Sequence, residues 1–255
     1  WNYHRPRRVP LYTTMTQVLT AQDVAEKSAG EIGEIIRAAM TYDEYRWQAE
    51  NKIHITEPFR AEGLHKILYQ CPSCLTESRM ESRGSELSCA ACGKRWEMDT
   101  LGRLRALSGE TEFSHIPDWF EWEREQVRRQ LEEGRYCFED EAEVYSMPNA
   151  WRFRKLGRAR LIHDMDQGFV VEGSYRGQPY RIHRPPLGMY GLHVEYDYCY
   201  VRPDDCVDIS TDNDSLYCYP VRQNVVTKLS FATEELYKMK RAAAAQRRSA
   251  SSAGG

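Results

Sequence analysis

Four of the eight cysteines fall in two pairs, Cys71-x-x-Cys74 and Cys89-x-x-Cys92, with fourteen residues between the pairs. A C-x-x-C can form a tight knuckle that turns two thiolates toward one point. Two knuckles a hairpin apart complete a tetrahedral sulfur cage, the donor set that suits Zn2+. The spacing therefore predicts one structural zinc on Cys71, Cys74, Cys89 and Cys92. Gly93 follows the second pair, where the turn needs a backbone conformation open to glycine. Leu68, Tyr69, Leu87 and Trp96 flank the knuckles and can cover the sulfurs. Four thiolates on one Zn2+ leave two negative charges, which Arg79, Arg83, Lys94 and Arg95 are placed in sequence to offset.

Other chemistries fit the same residues less well. Two disulfides need an oxidising compartment, and no secretory signal is visible. A redox dithiol of the thioredoxin kind sits in a βαβ setting, which the pattern lacks. A catalytic zinc keeps an open position, and four protein thiolates leave none. The ribbon thus explains how part of the chain folds and names no reaction.

The remaining candidates are weaker. Cys137, Cys199, Cys206 and Cys218 are irregularly spaced and read as free thiols. His163, His183 and His193 could meet across a sheet, but single histidines on strands need no ligand role. Asp164 with Asp166, and Asp204 with Asp205, read as turn residues rather than an acid–base pair. There is no G-K-[ST] phosphate loop, no G-x-S-x-G and no G-x-G-x-x-G. No nucleophile has a base beside it.

The elements that position these residues follow from composition and period. The chain has 255 residues, a net charge of −3 and a mean hydropathy of −0.69. Sixteen Tyr, seven Phe and six Trp are enough aromatic mass for a real core. The charge gives no pull toward nucleic acid, and no apolar run is long enough to cross a membrane. Residues 1–12 read as an extended, basic lead-in. Residues 20–51 read as helices, with capping boxes at Thr20/Asp23, Ser28/Glu31 and Thr41/Glu44 and an apolar face of Ile32, Ile35, Ile36 and Met40. A helix opens at Pro117–Asp118 and stops at Gly134. Its stripe is Trp119, Trp122, Val127 and Leu131, and its alternating Glu and Arg read as a solvated face. From Tyr136 the period becomes two. Strands are expected at 142–147, 158–164, 168–174, 178–184, 192–200, 205–211 and 215–219, then a helix at 233–241.

The expected class is α+β. The parts are a helical segment (1–57), a four-cysteine zinc ribbon (58–105), a connecting helix (106–135), an antiparallel β domain (136–241) and a disordered tail (242–255). Seven strands closed by one helix is the element order of a pleckstrin-homology-like barrel sandwich. A generic small β-sandwich or barrel is the alternative.

Several stretches together resemble a known family: MTQVLT (15–20), YDEYRWQAEN (42–51), FRAEGLHKILYQCPSC (59–74), LSCAACGKRWEM (87–98), GETEFSHIPDWFEWER (109–124) and TKLSFATEELYK (227–238). They look like the C-terminal half of bacterial 1-acyl-glycerol-3-phosphate acyltransferases of the phospholipid/glycerol acyltransferase family. The resemblance implies an upstream acyltransferase domain as partner, ending in residues 1–57, with acyl transfer in phospholipid synthesis performed by the parent. The chain begins at Trp1, consistent with that expectation. The family's catalytic signature is H-x-x-x-x-D, a histidine base oriented by an aspartate. None of His4, His54, His65, His115, His163, His183 and His193 has an Asp five positions on. No catalytic residue is carried over, and the ribbon and β domain are expected to serve structure or docking. The alternatives are a zinc-ribbon nucleic-acid-binding protein or a protein–protein adaptor, although a net acidic chain is not expected to bind nucleic acid. The expected place is the cytoplasm, with peripheral contact at the inner face of the cell membrane as a further partner. No pattern fixes an oligomeric state.

Overall fold

The computed structural model describes Arg5, residues 10–199 and residues 201–252, with side chains of the last helix described as far as Ser249. The fold is α+β: among the described residues, five helices and two antiparallel sheets, of four and seven strands. No helix among them is long and apolar enough to cross a membrane. The expected lead-in, residues 1–12, lies mostly outside the described residues.

Three helices come first. α1 (Ala21–Glu26) and α2 (Ala29–Met40) both start with the expected capping boxes, Thr20 with Asp23 and Ser28 with Glu31. α3 (Glu44–Glu50) does not use the third. Its N-cap is Asp43, whose carboxylate accepts from the Arg46 N–H at 2.9 Å, so the Thr41/Glu44 box does not form. Aspartate directly before the helix satisfies the orphan N–H and competes successfully with the threonine two positions earlier. The segment after α3 and the N-cap of α3 are both fastened to the following part of the chain. The Ile55 N–H donates to the Thr100 carbonyl, and His115 Nε2 lies 2.9 Å from Asp43.

The small sheet runs β1 (Met80–Arg83), β2 (Glu86–Cys89), β3 (Arg95–Met98) and β4 (Leu104–Ala106), each strand paired with the next. Leu64, Leu68, Leu87, Trp96, Met98 and Trp119 fill its core. α4 (Ile116–Glu132) then crosses to the second half of the chain. Its C-cap is Glu133, and Gly134 follows at φ 68° in the C′ position expected of it.

The large sheet holds β5 (Cys137–Ser146), β6 (Arg154–Asp164), β7 (Gly168–Tyr175), β8 (Gln178–Arg184), β9 (His193–Glu195), β10 (Cys206–Ser210) and β11 (Ser215–Pro220). Their order is β8-β7-β6-β5-β11-β10-β9, so the first strand pairs with the last and joins two meanders. Outward side chains on four neighbouring strands form a line of opposite charges: Glu139, Arg160, Glu172 and Arg181. Inward residues such as Val144, Leu161, Val171, Ile209 and Leu216 face the last helix, α5 (Val226–Ser252). α5 buries Val226, Leu229, Ala232 and Leu236 against them.

Two expectations are corrected. The last helix starts at Val226, seven residues before the expected Thr233, and continues through the segment 242–252 expected to be disordered. Burial of Val226 and Leu229 overrides the weak local propensity of VVT, and Ala242–Ala245, the best helix formers, extend the packed half outward. The expected β domain, 136–241, shares its core with other parts of the chain. Tyr69 from the ribbon and Val127 and Leu131 from α4 complete it.

Candidate metal centre

The ribbon brings its four cysteines together. Cys71 Sγ lies 3.8 Å from Cys92 Sγ, and Cys74 Sγ 3.7 Å from Cys89 Sγ. All four sulfurs lie within 4.8 Å of one another, a group that can hold a metal ion. A regular tetrahedron with ~2.3 Å Zn–S bonds has edges of about 3.8 Å, so the cage has the size that ion asks for.

The two knuckles share one backbone plan. In each, the residue four on donates its N–H to the first cysteine's carbonyl: Leu75 to Cys71 at 2.9 Å and Gly93 to Cys89 at 2.8 Å. In each, the first cysteine's N–H donates to the carbonyl five on: Thr76 at 3.0 Å and Lys94 at 2.9 Å. The residue four on has a left-handed backbone in both, φ 62° at Leu75 and 75° at Gly93. Gly93 takes that conformation freely, while Leu75 takes it at some cost.

The electrostatics ask for a cation. Burial pushes the Cys71 and Cys89 thiols up, against N–H groups of Ser73 and Cys74, and of Ala91 and Cys92, that favour the thiolates. Cys74, where burial is outweighed by hydrogen bonding to Thr76, Cys71 and Cys92, is held down at about 6. Four thiolates in contact repel one another, and a divalent metal is what removes that cost. Cys71 and Cys89 are buried, Cys74 and Cys92 exposed. Leu68, Tyr69, Leu87 and Trp96 are fully buried beside the knuckles, as expected. The basic residues expected to offset the cage are partly engaged elsewhere: Lys94 pairs with Glu112 and Arg95 with Glu86.

No family model, curated protein or solved structure matches this chain. The donor set and its geometry are therefore what speak for a metal. Among the described residues, no further His, Cys, Asp or Glu joins the four cysteines as a ligand.

The other candidate residues are not brought together. His163 is buried, 2.8 Å from the Tyr136 hydroxyl through Nδ1 and stacked on Phe169, and burial holds it down at about 3. His183 sits 2.7 Å from the Gln167 carbonyl, and His193 lies on β9 near Glu195 and Asp208. Cys206 and Cys218 are buried free thiols, Cys137 and Cys199 exposed ones. Asp164 caps the β6–β7 turn, accepting from the N–H groups of Asp166 and Gln167. Asp204 pairs with Arg202.

Asp205 does more than turn the chain. With Asp197 it holds Lys66 Nζ, at 2.6 and 2.7 Å, in a half-buried cluster that fastens the ribbon's approach to the β domain. Burial pushes the Asp205 carboxyl up, and the Lys66 ammonium opposes that.

Sequence reasoning also missed Glu123. It is fully buried, and its Oε1 accepts the Gln70 N–H at 2.7 Å, directly before the first ligand. Its other oxygen and the Tyr69 hydroxyl have no partner. Burial pushes its carboxyl well up, toward the neutral form. The signal was present: Trp119, Glu123, Val127 and Leu131 share a spacing of four on α4, the face that is buried.

Proposed function

We propose that this chain is the non-catalytic C-terminal part of a phospholipid/glycerol acyltransferase, with a zinc ion in the four-cysteine cage as a structural staple. The parent would transfer an acyl group to 1-acyl-glycerol-3-phosphate, and the ribbon and β domain would brace and dock the catalytic domain. The six sequence stretches quoted above carry the family part of this reading. The thiolate donor set and cage size support zinc.

One observation supports docking most directly. α1 and α2 bury no residue at all. Leu11, Tyr12, Met15, Val18, Val24, Ile36, Met40 and Tyr42 are all exposed, eight large apolar side chains within one arm. An exposed apolar surface of that extent marks an interaction site. On this reading the arm is the seam with the acyltransferase domain.

The test is the coding sequence ahead of Trp1. An in-frame H-x-x-x-x-D within a domain of roughly 200 residues is the expected finding. An upstream sequence with no such motif overturns the reading. A matching assay measures acyl transfer from acyl-CoA to 1-acyl-glycerol-3-phosphate by the 255-residue chain. No turnover is expected. Turnover abolished by a point change within the chain contradicts the non-catalytic role.

A further inference from the structure

We infer that the β5–β6 hairpin tip, residues 147–154, is a docking surface for an anionic phospholipid bilayer, with Trp151 as its interfacial anchor. This inference does not rest on the acyltransferase reading.

Trp151 is 85% exposed, while Phe153, two positions on, packs edge-on against Tyr217 at 5.0 Å and Tyr198 at 6.3 Å. Phe153 thus fixes the strand, and Trp151 is left with nothing to cover it. Arg152 and Arg154 follow it, both exposed. Neither has a carboxylate partner among the described residues, in contrast to Lys155 with Glu143, Arg158 with Glu141 and Arg160 with Glu139 further along β6. Trp151, Arg152 and Arg154, with Pro148 and Asn149, line an open cleft of about 650 Å³.

The tip is held in shape before any partner arrives. The Met147 N–H donates to the Ser215 carbonyl and the Asn149 N–H to the Asn213 carbonyl, so the neighbouring β10–β11 turn carries it. Asn149 and Ala150 are both left-handed, at φ 53° and 54°, a conformation that costs free energy and fixes the direction in which Trp151 leaves the turn. The pairing slips between Val144 and Tyr145, with Gly157 and Lys155 opposite, a β-bulge of the kind that adds local twist to a strand.

The chemistry fits a bilayer surface. An indole with an apolar body and one N–H settles at headgroup depth, and arginines pair with lipid phosphates. Two free cations beside one aromatic give a weak anchor, the strength suited to orienting a protein held by further contacts. The adjoining turn carries Asp212 and Asp214, the latter engaged by the Ser146 hydroxyl at 2.6 Å. A single-stranded nucleic acid fits less well. It needs a groove with a track of cations and several stacking platforms, whereas this is a hairpin end with one free indole.

The experiment is vesicle co-sedimentation of the 255-residue chain. The vesicles are phosphatidylcholine alone, or phosphatidylcholine with about one-third phosphatidylglycerol. Binding to the anionic vesicles only is expected, weakening with salt. Each arginine is worth about fivefold at an anionic surface, so R152A/R154A lowers binding about 25-fold. W151A lowers it as well on the same vesicles. All three residues are exposed, so unchanged circular dichroism and melting temperature show that the variants fold. Absence of binding to anionic vesicles overturns the proposal. So does binding that these variants leave intact, which places the contact on the N-terminal arm or on α5. Tight binding of a labelled single-stranded oligonucleotide that the variants abolish, with none to vesicles, assigns the tip to nucleic acid instead.

Discussion

At the scale of single residues, two buried side chains of the ribbon and its supporting helix behave oppositely. Cys89 must lose its proton to hold a metal, whereas burial favours the protonated form of Glu123. Cys89→Ser removes one of the four candidate ligands. Metal binding and folding together are worth roughly 10–16 kcal/mol in isolated zinc-finger peptides. The variant should purify without zinc and show loss of amide protection across 68–106, by hydrogen exchange. For Glu123 the sign follows from its raised pKa. Its contribution to stability is full below the unfolded value near 4.5 and is lost as pH rises through the folded value. Glu123→Gln removes that slope. Denaturant unfolding of wild type and variant should therefore diverge in favour of the variant as pH rises from about 5 to 8. Parallel curves contradict a raised pKa at Glu123. Glu123→Ala instead orphans the Gln70 N–H and costs about 1–3 kcal/mol at any of these pH values. The cysteines are legible because bringing four thiols to one point takes two C-x-x-C knuckles, a spacing visible in sequence. Glu123 reads as a solvated charge because its neighbours Glu121 and Glu125 are of that kind, although its own position on the stripe of four is in view.

At the scale of elements, the period-two run from Tyr136 announces all seven strands, because a sheet with one buried face writes alternation directly into sequence. The ends are less legible. The start of β5 at Cys137 precedes the expected 142, since Glu139 and Glu141 are long, outward and ion-paired rather than apolar. α5 begins early because its first turn is stabilised by burial, a tertiary effect with no local signature. Gly168 opens β7 at φ 72°, and a Cβ there would collide with the Arg184 carbonyl oxygen and come within 2.9 Å of the Pro186 nitrogen. Gly168→Ala should cost upward of about 1–3 kcal/mol, measured as a fall in the denaturation midpoint. A neutral result would mean that β7 and the end of β8 do not approach so closely. The Lys66 cluster makes a comparable claim about joining. Lys66→Met leaves Asp205 and Asp197 without their cation and should cost about 3–5 kcal/mol. Lys66→Met with both aspartates changed to asparagine should recover part of that loss. Equal melting of Lys66→Met and wild type contradicts the joint.

At the scale of the whole molecule, the ribbon and β domain are fastened into one body. Besides Lys66, the Thr227 hydroxyl donates to the Lys66 carbonyl, Lys228 pairs with Glu77, and Asn224 donates to the Met80 carbonyl. α4 adds Arg124 and Arg128 against Glu234 and Glu235 of α5. Loss of the metal should therefore lower the melting temperature of the β domain as well, rather than release an intact one. Of this union the sequence discloses only the parts. Contacts more than 100 residues apart, such as Lys66 with Asp197 and Asp205, leave no periodic trace. The N-terminal arm and the Trp151 tip both expose large apolar side chains.

The central claim is that a metal in the Cys71, Cys74, Cys89 and Cys92 cage holds this body together. Metal analysis of freshly purified protein, with thiol titration before and after chelation, tests it most directly. One zinc per chain is expected, with the exposed Cys74 and Cys92 unreactive until the chelator removes it. Protein that is folded, free of zinc and already reactive at Cys74 and Cys92 would contradict the account.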